Sequence, residues 1–298
     1  MNFRISTMPV EEYSAAEWAN FSTQVQDENL FLAMKYLKYA LLLKPNNMSY
    51  QRKLAILLAR MSRMEEAIEI FCKILDEDSE DRRSYKAMGE TLLIQANQTG
   101  TIGWFSFFEA TFLYRLIKGM DNPAPVIVEL GSCFGLSSMI IAKALSDKPD
   151  ATIYCIDAWE GDGSSVFDKT RDVVRNKAKE GISFFDMFSN NMKKAGVDYQ
   201  LIPIKSYTTD LAKIWTEKAD LIFVDADHSY TGVRNDVRDW KKFVKVGGQI
   251  LLHDVALKCA GSSEDSAPGR VVNELLGANS KFSSGTLVDS LYLAERLR

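Results

Sequence analysis

The chain is poor in the features that mark membrane, secreted or nucleic-acid-binding proteins. No stretch of about 18 apolar residues occurs, so no membrane span is expected. Met1 to Val10 holds no basic segment followed by an apolar run, so no secretory signal is expected there. The cysteines number only 4 and form no CxxC pair, which argues against a thiolate metal site or a disulfide framework. Such scattered thiols (Cys72, Cys133, Cys155 and Cys259) suit buried structural roles in a reducing cytoplasm. A net charge of −4 gives no general attraction to nucleic acid or anionic lipid. Histidine is the scarcest chemistry-bearing residue, with two copies, His228 and His253.

What is present is enough apolar residue for a core, 46% of 298 residues, and room for two modest domains. Residues 1–28 read as a polar segment. From 29 to 97 the spacing is helical, with helices expected over Asn29–Lys44, Ser49–Ala59, Met64–Leu75 and Asp81–Ala96. A shift of 34 residues brings Ala33 onto Ala67, Leu37 onto Phe71 and Leu58 onto Leu92. That period resembles tetratricopeptide repeats, although the match spans only about two units and the second has Ser79 where the turn proline would stand. The segment is either an interaction array, for another protein or a second copy, or an irregular helical cap. Residues 98–125 read as a linker with an aromatic helix, Trp104–Met120, ended by Pro123 and Pro125.

From residue 126 to 298 short apolar runs alternate with amphipathic helices: VIVEL, ATIYCIDAW, YQLIPIK, ADLIFVD and QILLHDV. Near-continuous apolar strands separated by helices specify a mostly parallel sheet covered on both faces, a Rossmann-like α/β domain. GTLVDSLYLAERL supplies one or two further strands at an antiparallel edge. The whole chain therefore reads as an all-α repeat domain followed by an α/β domain.

The first strand runs into Glu129-Leu130-Gly131-Ser132-Cys133-Phe134-Gly135 and then a helix. Gly131 and Gly135 permit a tight turn and close approach of backbone to a ligand. This is not the GxGxxG that wraps a pyrophosphate, which disfavours a nicotinamide oxidoreductase. E-x-G-x-x-x-G resembles the first motif of class I S-adenosylmethionine-dependent methyltransferases. At the end of the second strand Asp157 is placed to accept hydrogen bonds from ribose hydroxyls. Asp157-Ala158-Trp159-Glu160-Gly161-Asp162 resembles a stretch of a subgroup containing sugar and natural-product O-methyltransferases and cephalosporin-hydroxylase-like proteins. The resemblance implies cofactor contacts from Glu129, Gly131, Ser132, Gly135, Asp157, Ala158, Trp159 and Asp225. Trp159 is either beside the nucleoside or an ordinary core tryptophan.

Residues 219–255 are similar to the same subgroup along their length, and also resemble metal-dependent catechol and caffeoyl-coenzyme A O-methyltransferases. The resemblance implies that Asp225, His253 and Asp254 ligate a divalent cation. His253 departs from that pattern, in which an acid is expected, so Mn²⁺ competes with Mg²⁺. His228 stands where those enzymes carry a lysine base; imidazole titrates near neutrality and could take a hydroxyl proton. The plainer readings are that His228 caps a helix or is a hydrogen-bonding residue, that Asp225 caps the following helix, and that Asp254 pairs with a basic side chain such as Arg234. Pro268-Gly269-Arg270 resembles a loop that crosses the subgroup's active site.

The expectation is an S-adenosylmethionine-dependent O-methyltransferase, acting on a small-molecule acceptor such as a sugar hydroxyl, with His228 and Asp225 as catalytic groups and a possible divalent cation. The rival is a repeat-mediated interaction protein whose Rossmann-like domain has no catalysis. No nucleic-acid or membrane partner is expected, and the compartment is cytoplasmic.

Overall fold

Residues 10–160, 170–255, 266–277 and 280–298 are described by a computed structural model. They divide into two units, one ending at Gln95 and one running from Ala96 to Arg298. In the first, helices α1 (Ala15–Val25), α2 (Leu30–Leu43), α3 (Met48–Arg60) and α4 (Met64–Glu77) pack as successive antiparallel neighbours, and α5 (Arg82–Thr99) begins there. The onsets of α2 and α4 lie 34 residues apart, as do those of α3 and α5. The superposed positions Ala33 and Ala67, and Leu37 and Phe71, are all fully buried.

Helix α1 lies in the segment that reads as merely polar. Its capping box, Ser14 with Glu17, satisfies orphan amides at the N-terminus. Trp18 is buried in an edge-to-face cluster with Tyr13, Phe21 and Tyr39. Three aromatics among polar residues are enough to dock one helix face, and that face was hidden by the composition around it.

In the second unit α6 (Phe107–Lys118) precedes β1 (Val126–Leu130), α7 (Leu136–Ala144), β2 (Thr152–Asp157), α8 (Thr170–Lys179) and α9 (Phe184–Ala195). Then follow β3 (Leu201–Lys205), α10 (Thr208–Leu211), β4 (Ala219–Val224), α11 (Tyr230–Trp240), β5 (Val244–Leu252), α12 (Ala267–Leu275), β6 (Thr286–Val288) and β7 (Leu291–Glu295). The seven strands form one sheet in the order β3-β2-β1-β4-β5-β7-β6. The first five are parallel and the last two antiparallel. The α/β expectation therefore holds, with the hairpin β6–β7 as the antiparallel edge.

Two boundaries differ from the sequence reading. Residues 98–125, expected as a linker, belong to the second unit. Trp104 and Phe105 stand before α6, because the capping box Ser106–Glu109 starts the helix later than the aromatic run suggests. Pro268-Gly269-Arg270 lies in the first turns of α12, where Pro is tolerated, and not in a crossing loop. The stretch before it, residues 256–265, is outside the described residues, as is Cys259. No helix among the described residues is long and apolar enough to cross a membrane.

Buried Trp240, Val237 and Val233 of α11 pack with Ile222, Val224 and Ile250 of the sheet. Within this core sits Asp236, 1% exposed, which accepts a hydrogen bond from Thr208 Oγ1. Burial pushes its carboxyl up to about 6 against the pull of that hydrogen bond, and the charges of Asp227 and Asp239 add to the rise. A carboxyl raised in the folded state favours folding below its ordinary value of 3.8 and loses that advantage as pH climbs through about 6. Asp236→Asn keeps the shape and the acceptor oxygen. It should leave stability nearly unchanged at pH 4 and raise it at pH 8 by on the order of 2–3 kcal/mol. Urea midpoints at the two pH values test this; equal gains at both would refute it.

Candidate active site

The parallel register decides which residues meet at the sheet's carboxyl edge. Leu130 of β1 is paired with Ile156 of β2 and Val224 of β4, and Val224 with Leu252 of β5. The residues reached next, Asp157, Gly131, Asp225 and His253, therefore stand side by side. The ladder continues one step past β1, β4 and β5: Gly131 N–H donates to Ile156 O at 2.8 Å, Asp225 N–H to Leu130 O at 2.8 Å, and His253 N–H to Val224 O at 3.1 Å. Ligand sites of open α/β sheets form outside this edge. Here a cavity of about 640 Å³ opens on it, with Gly131, Ser132, Asp157, Asp225, His228 and His253 in its wall. Trp104, Phe105 and Phe184 supply apolar faces to the same cavity.

The loop after β1 is held by the protein itself. Gly131 and Gly135 have φ of +90° and +91°. A Cβ on Gly131 would lie 2.2 Å from Asp225 O, and one on Gly135 would lie 2.4 Å from Met192 Cε. The glycines thus serve left-handed backbone and close packing of strand ends and helix. The expected close approach is filled by protein atoms. Glu129 is wholly buried and outside the cavity wall; its Oε2 accepts from Ser132 Oγ at 2.6 Å and from Ser138 Oγ. Burial raises its carboxyl, opposed by the serine hydroxyls and reinforced by the charge of Asp225. Oε1 of Glu129 is buried with no hydrogen-bond partner. This acid braces the loop from behind.

Asp157 does reach the cavity. Its Oδ2 accepts from Cys133 N–H at 2.9 Å and its Oδ1 from Trp159 N–H at 2.6 Å. Burial raises its carboxyl, and the amides of Trp159, Cys133 and Ser132 pull the other way. Trp159, with φ +45°, is 3% exposed. Its Nε1 donates to Cys133 O at 2.8 Å and its ring packs on Phe185 and Phe188. It is the core tryptophan of the two readings. Ala158 is half-buried and is not among the wall residues. Ser132 and Gly131 line the cavity; Gly135 does not.

Both histidines pair with carboxylates. His228 Nδ1 lies 2.9 Å from Asp254 Oδ2. The hydrogen bond to Asp254 raises the imidazole above its ordinary range, burial opposes, and the charges of Asp225 and Asp254 add to the rise. His253 is 7% exposed; its Nδ1 lies 3.0 Å from Asp225 Oδ1 and its Nε2 3.7 Å from Glu109 Oε1. Burial would depress this imidazole, but the charge of Asp225 and the contacts with Asp225 and Glu109 lift it to about 10. Burial would likewise raise Glu109, yet His253, Ser290 and the Ser106 amide bring it down to about 2. The ring of His253 thus lies between two carboxylates.

In this structure the three expected cation ligands are engaged with one another and with neighbouring side chains. Asp225 and Asp254, expected to converge on one ion, both approach His253 Nδ1, at 3.0 and 3.8 Å, and Asp254 also meets His228. Among the described residues no group of three or more His, Cys, Asp and Glu side chains is placed to hold a metal. Of the plainer readings, hydrogen bonding is present, between His228 and Asp254, while helix capping and the pairing with Arg234 are not. Helix α11 is capped by Ser229 through Gly232 N–H, and Arg234 pairs with Glu274 at 3.6 Å. The described thiols, Cys72, Cys133 and Cys155, form no disulfide. Burial pushes Cys133, in the cavity wall, up to about 12, so it is no nucleophile at neutral pH.

Glu109 escaped the sequence reading. Its only signal is Ser106-x-x-Glu109, which announces a helix start and nothing about burial or a histidine partner. Trp104 and Phe105 were legible as aromatic but not as cavity wall.

Solved structures with a similar chain path include a putative O-methyltransferase from Klebsiella pneumoniae, 19% identical, covering 70% of this chain and 90% of that one, TM-score 0.47. The O-methyltransferase TomG from Streptomyces achromogenes, solved in complex with SAM, is 20% identical over 68% of this chain and 87% of that one, TM-score 0.47. An O-methyltransferase from Bacillus cereus, solved in complex with SAH, is 14% identical over 74% and 94%, TM-score 0.47. No curated protein matches the chain. Residues 128–255, which run from β1 through β5 and hold every wall residue of the sheet's carboxyl edge, match the family described as a methyltransferase domain.

Proposed function

We propose that the second unit binds S-adenosylmethionine in the strand-end cavity and methylates a hydroxyl of a small-molecule acceptor. The observation that carries this reading is the coincidence of the methyltransferase-domain match with a built cavity at the same strand ends. The bound cofactor supplies a methyl group on a sulfonium, open to in-line displacement by an oxygen. Asp157 presents a carboxylate to the ribose hydroxyls, already oriented by two backbone amides. Ser132 and Gly131 supply the rest of the floor.

His228 is the base. Asp254 engages Nδ1 and orients the ring, which leaves Nε2 for the acceptor proton. The proton passes to Nε2 as the new C–O bond forms and the methyl–sulfur bond breaks, so the products are the methyl ether, the thioether and a protonated ring. Asp225 places its carboxylate beside this site, and Trp104, Phe105 and Phe184 offer apolar faces to the acceptor. A sugar or natural-product hydroxyl is the acceptor class favoured by the DAWEGD resemblance.

The rival, an interaction protein with an inert second unit, is supported by the 34-residue recurrence of helix pairs but leaves the cavity without a use. Calorimetric titration with S-adenosylmethionine and, in parallel, NAD separates the readings. S-adenosylmethionine should bind in the micromolar range and NAD should not; no heat at millimolar S-adenosylmethionine with folded protein would refute the proposal. Asp157→Asn should weaken S-adenosylmethionine by on the order of 1.5–3 kcal/mol, because one charged acceptor is lost. His228→Asn should leave that affinity unchanged and lower methyl transfer by roughly 10²–10⁴-fold. A weakened affinity with normal turnover would assign His228 to binding instead.

A further inference from the structure

Three capping boxes occur in the described chain: Ser14 with Glu17, Ser183 with Asp186, and Ser106 with Glu109. The acids of the first two are exposed, as a residue in the first turn of a surface helix ordinarily is. Glu109 is 4% exposed. A cap alone does not need a buried carboxylate, and desolvating one costs several kcal/mol unless it is paired. Its partners are therefore informative.

Glu109 Oε2 accepts from the Ser106 amide at 2.7 Å, which completes the cap. Oε1 accepts from Ser290 N–H at 3.0 Å and Ser290 Oγ at 2.5 Å, in the turn between β6 and β7. The same oxygen faces His253 Nε2 at 3.7 Å, an ion pair longer than a hydrogen bond. The opposite ring nitrogen of His253 holds Asp225 Oδ1. Ser106 Oγ in turn donates to Asp289 Oδ2 at 2.5 Å, and Val255 N–H donates to Ser290 O at 2.9 Å. The N-terminus of α6, the β6–β7 turn and the exit of β5 are thus tied around one imidazole.

We propose that Glu109 is the positioning residue of this cavity: it holds the ring of His253, and His253 fixes the carboxylate of Asp225 in the cavity wall. The inference rests on the reading of the cavity as the S-adenosylmethionine site. Asp225 commits Oδ1 to His253, and among the described residues its Oδ2 has no hydrogen-bond partner. An anchored ring gives that free oxygen a single orientation toward the ligand. With only one nitrogen held, an imidazole can turn about its χ2 bond and take Asp225 with it. Phe105 packs edge-on against the ring at 5.0 Å and limits its tilt, but supplies no polar anchor.

Glu109→Gln is the informative change. It retains the volume and one oxygen for the Ser106 amide, so the cap survives, while the charge facing His253 is lost together with the acceptor that Ser290 uses. The probe is S-adenosylhomocysteine, titrated by calorimetry into the full chain. The spectroscopic readout is the ring ¹⁵N resonances of the two histidines, which selective labelling isolates because the chain contains only His228 and His253. The His253 resonances should move and those of His228 should not. The dissociation constant should rise roughly tenfold, within the range for coupled neighbours. In a His253→Asn background Glu109→Gln should cause no further loss. Unmoved His253 resonances with a lowered melting temperature would reduce Glu109 to a helix cap and overturn the proposal, and so would additive losses in the double variant. If His253→Asn does not fold, the single variant's resonances and affinity decide the matter. If the parent protein itself does not bind S-adenosylhomocysteine, the cofactor reading fails, and the His253 resonances still report whether Glu109 holds the ring.

Discussion

The register of four parallel strands is the constraint on which the cavity depends. Parallel pairing sets neighbouring strands in step, and the step is enforced because both sheet faces are buried. Ile156, Leu130, Val224 and Leu252 are consequently level. Each is followed immediately by a residue of different chemistry: a carboxylate, a glycine, a carboxylate and an imidazole. A slip of one residue in any strand would turn its apolar set to the other face and move its terminal group off the edge. The chemistry is therefore as well ordered as the core beneath it.

Charge burial at this edge is handled in two ways. Glu129, behind the loop, is stabilised by serine hydroxyls and has its carboxyl raised, the behaviour of an acid tolerated by burial. Glu109, Asp225 and His253 instead form an alternating chain of charges, and Glu109 is lowered to about 2 in spite of its burial. The first arrangement shapes the glycine loop and the second aligns the wall across from it. The glycines serve the same end, since the space that Cβ atoms would occupy at Gly131 and Gly135 is taken by Asp225 and Met192.

Much of this was legible before any coordinates. Alternating apolar runs and amphipathic helices announced the parallel sheet, because strands buried on both faces must be apolar throughout. The 34-residue recurrence of small and large residues announced the helix pairs. Asp157, Asp225 and His253 were recognisable because each directly follows or ends an apolar run, the position at which a parallel strand delivers its residue to the ligand edge; His228 was recognisable only through the family resemblance. The helix around Trp18 was missed because its buried face is built from a few aromatics dispersed among polar residues, which leaves little periodic signal.

What the sequence determined by itself was local and periodic: which segments are strands or helices, where glycine permits a turn, and which polar residues fall at strand ends. These follow from short-range sterics and from the burial pattern of single elements. Only the tertiary structure decided who partners whom. Asp225 and Asp254, expected as two ligands of one ion, were brought to the same nitrogen of His253, and Asp254 was also given His228 as a partner. Trp159 was assigned to the core by its bond to Cys133 and its contacts with α9. Glu109, more than 100 residues from both of its distant partners, became part of the cavity's support because the β6–β7 turn and the exit of β5 close around it. Such pairings depend on long-range geometry, in which a few ångströms decide between an ion pair and a solvated charge, and no spacing within one element encodes that distance.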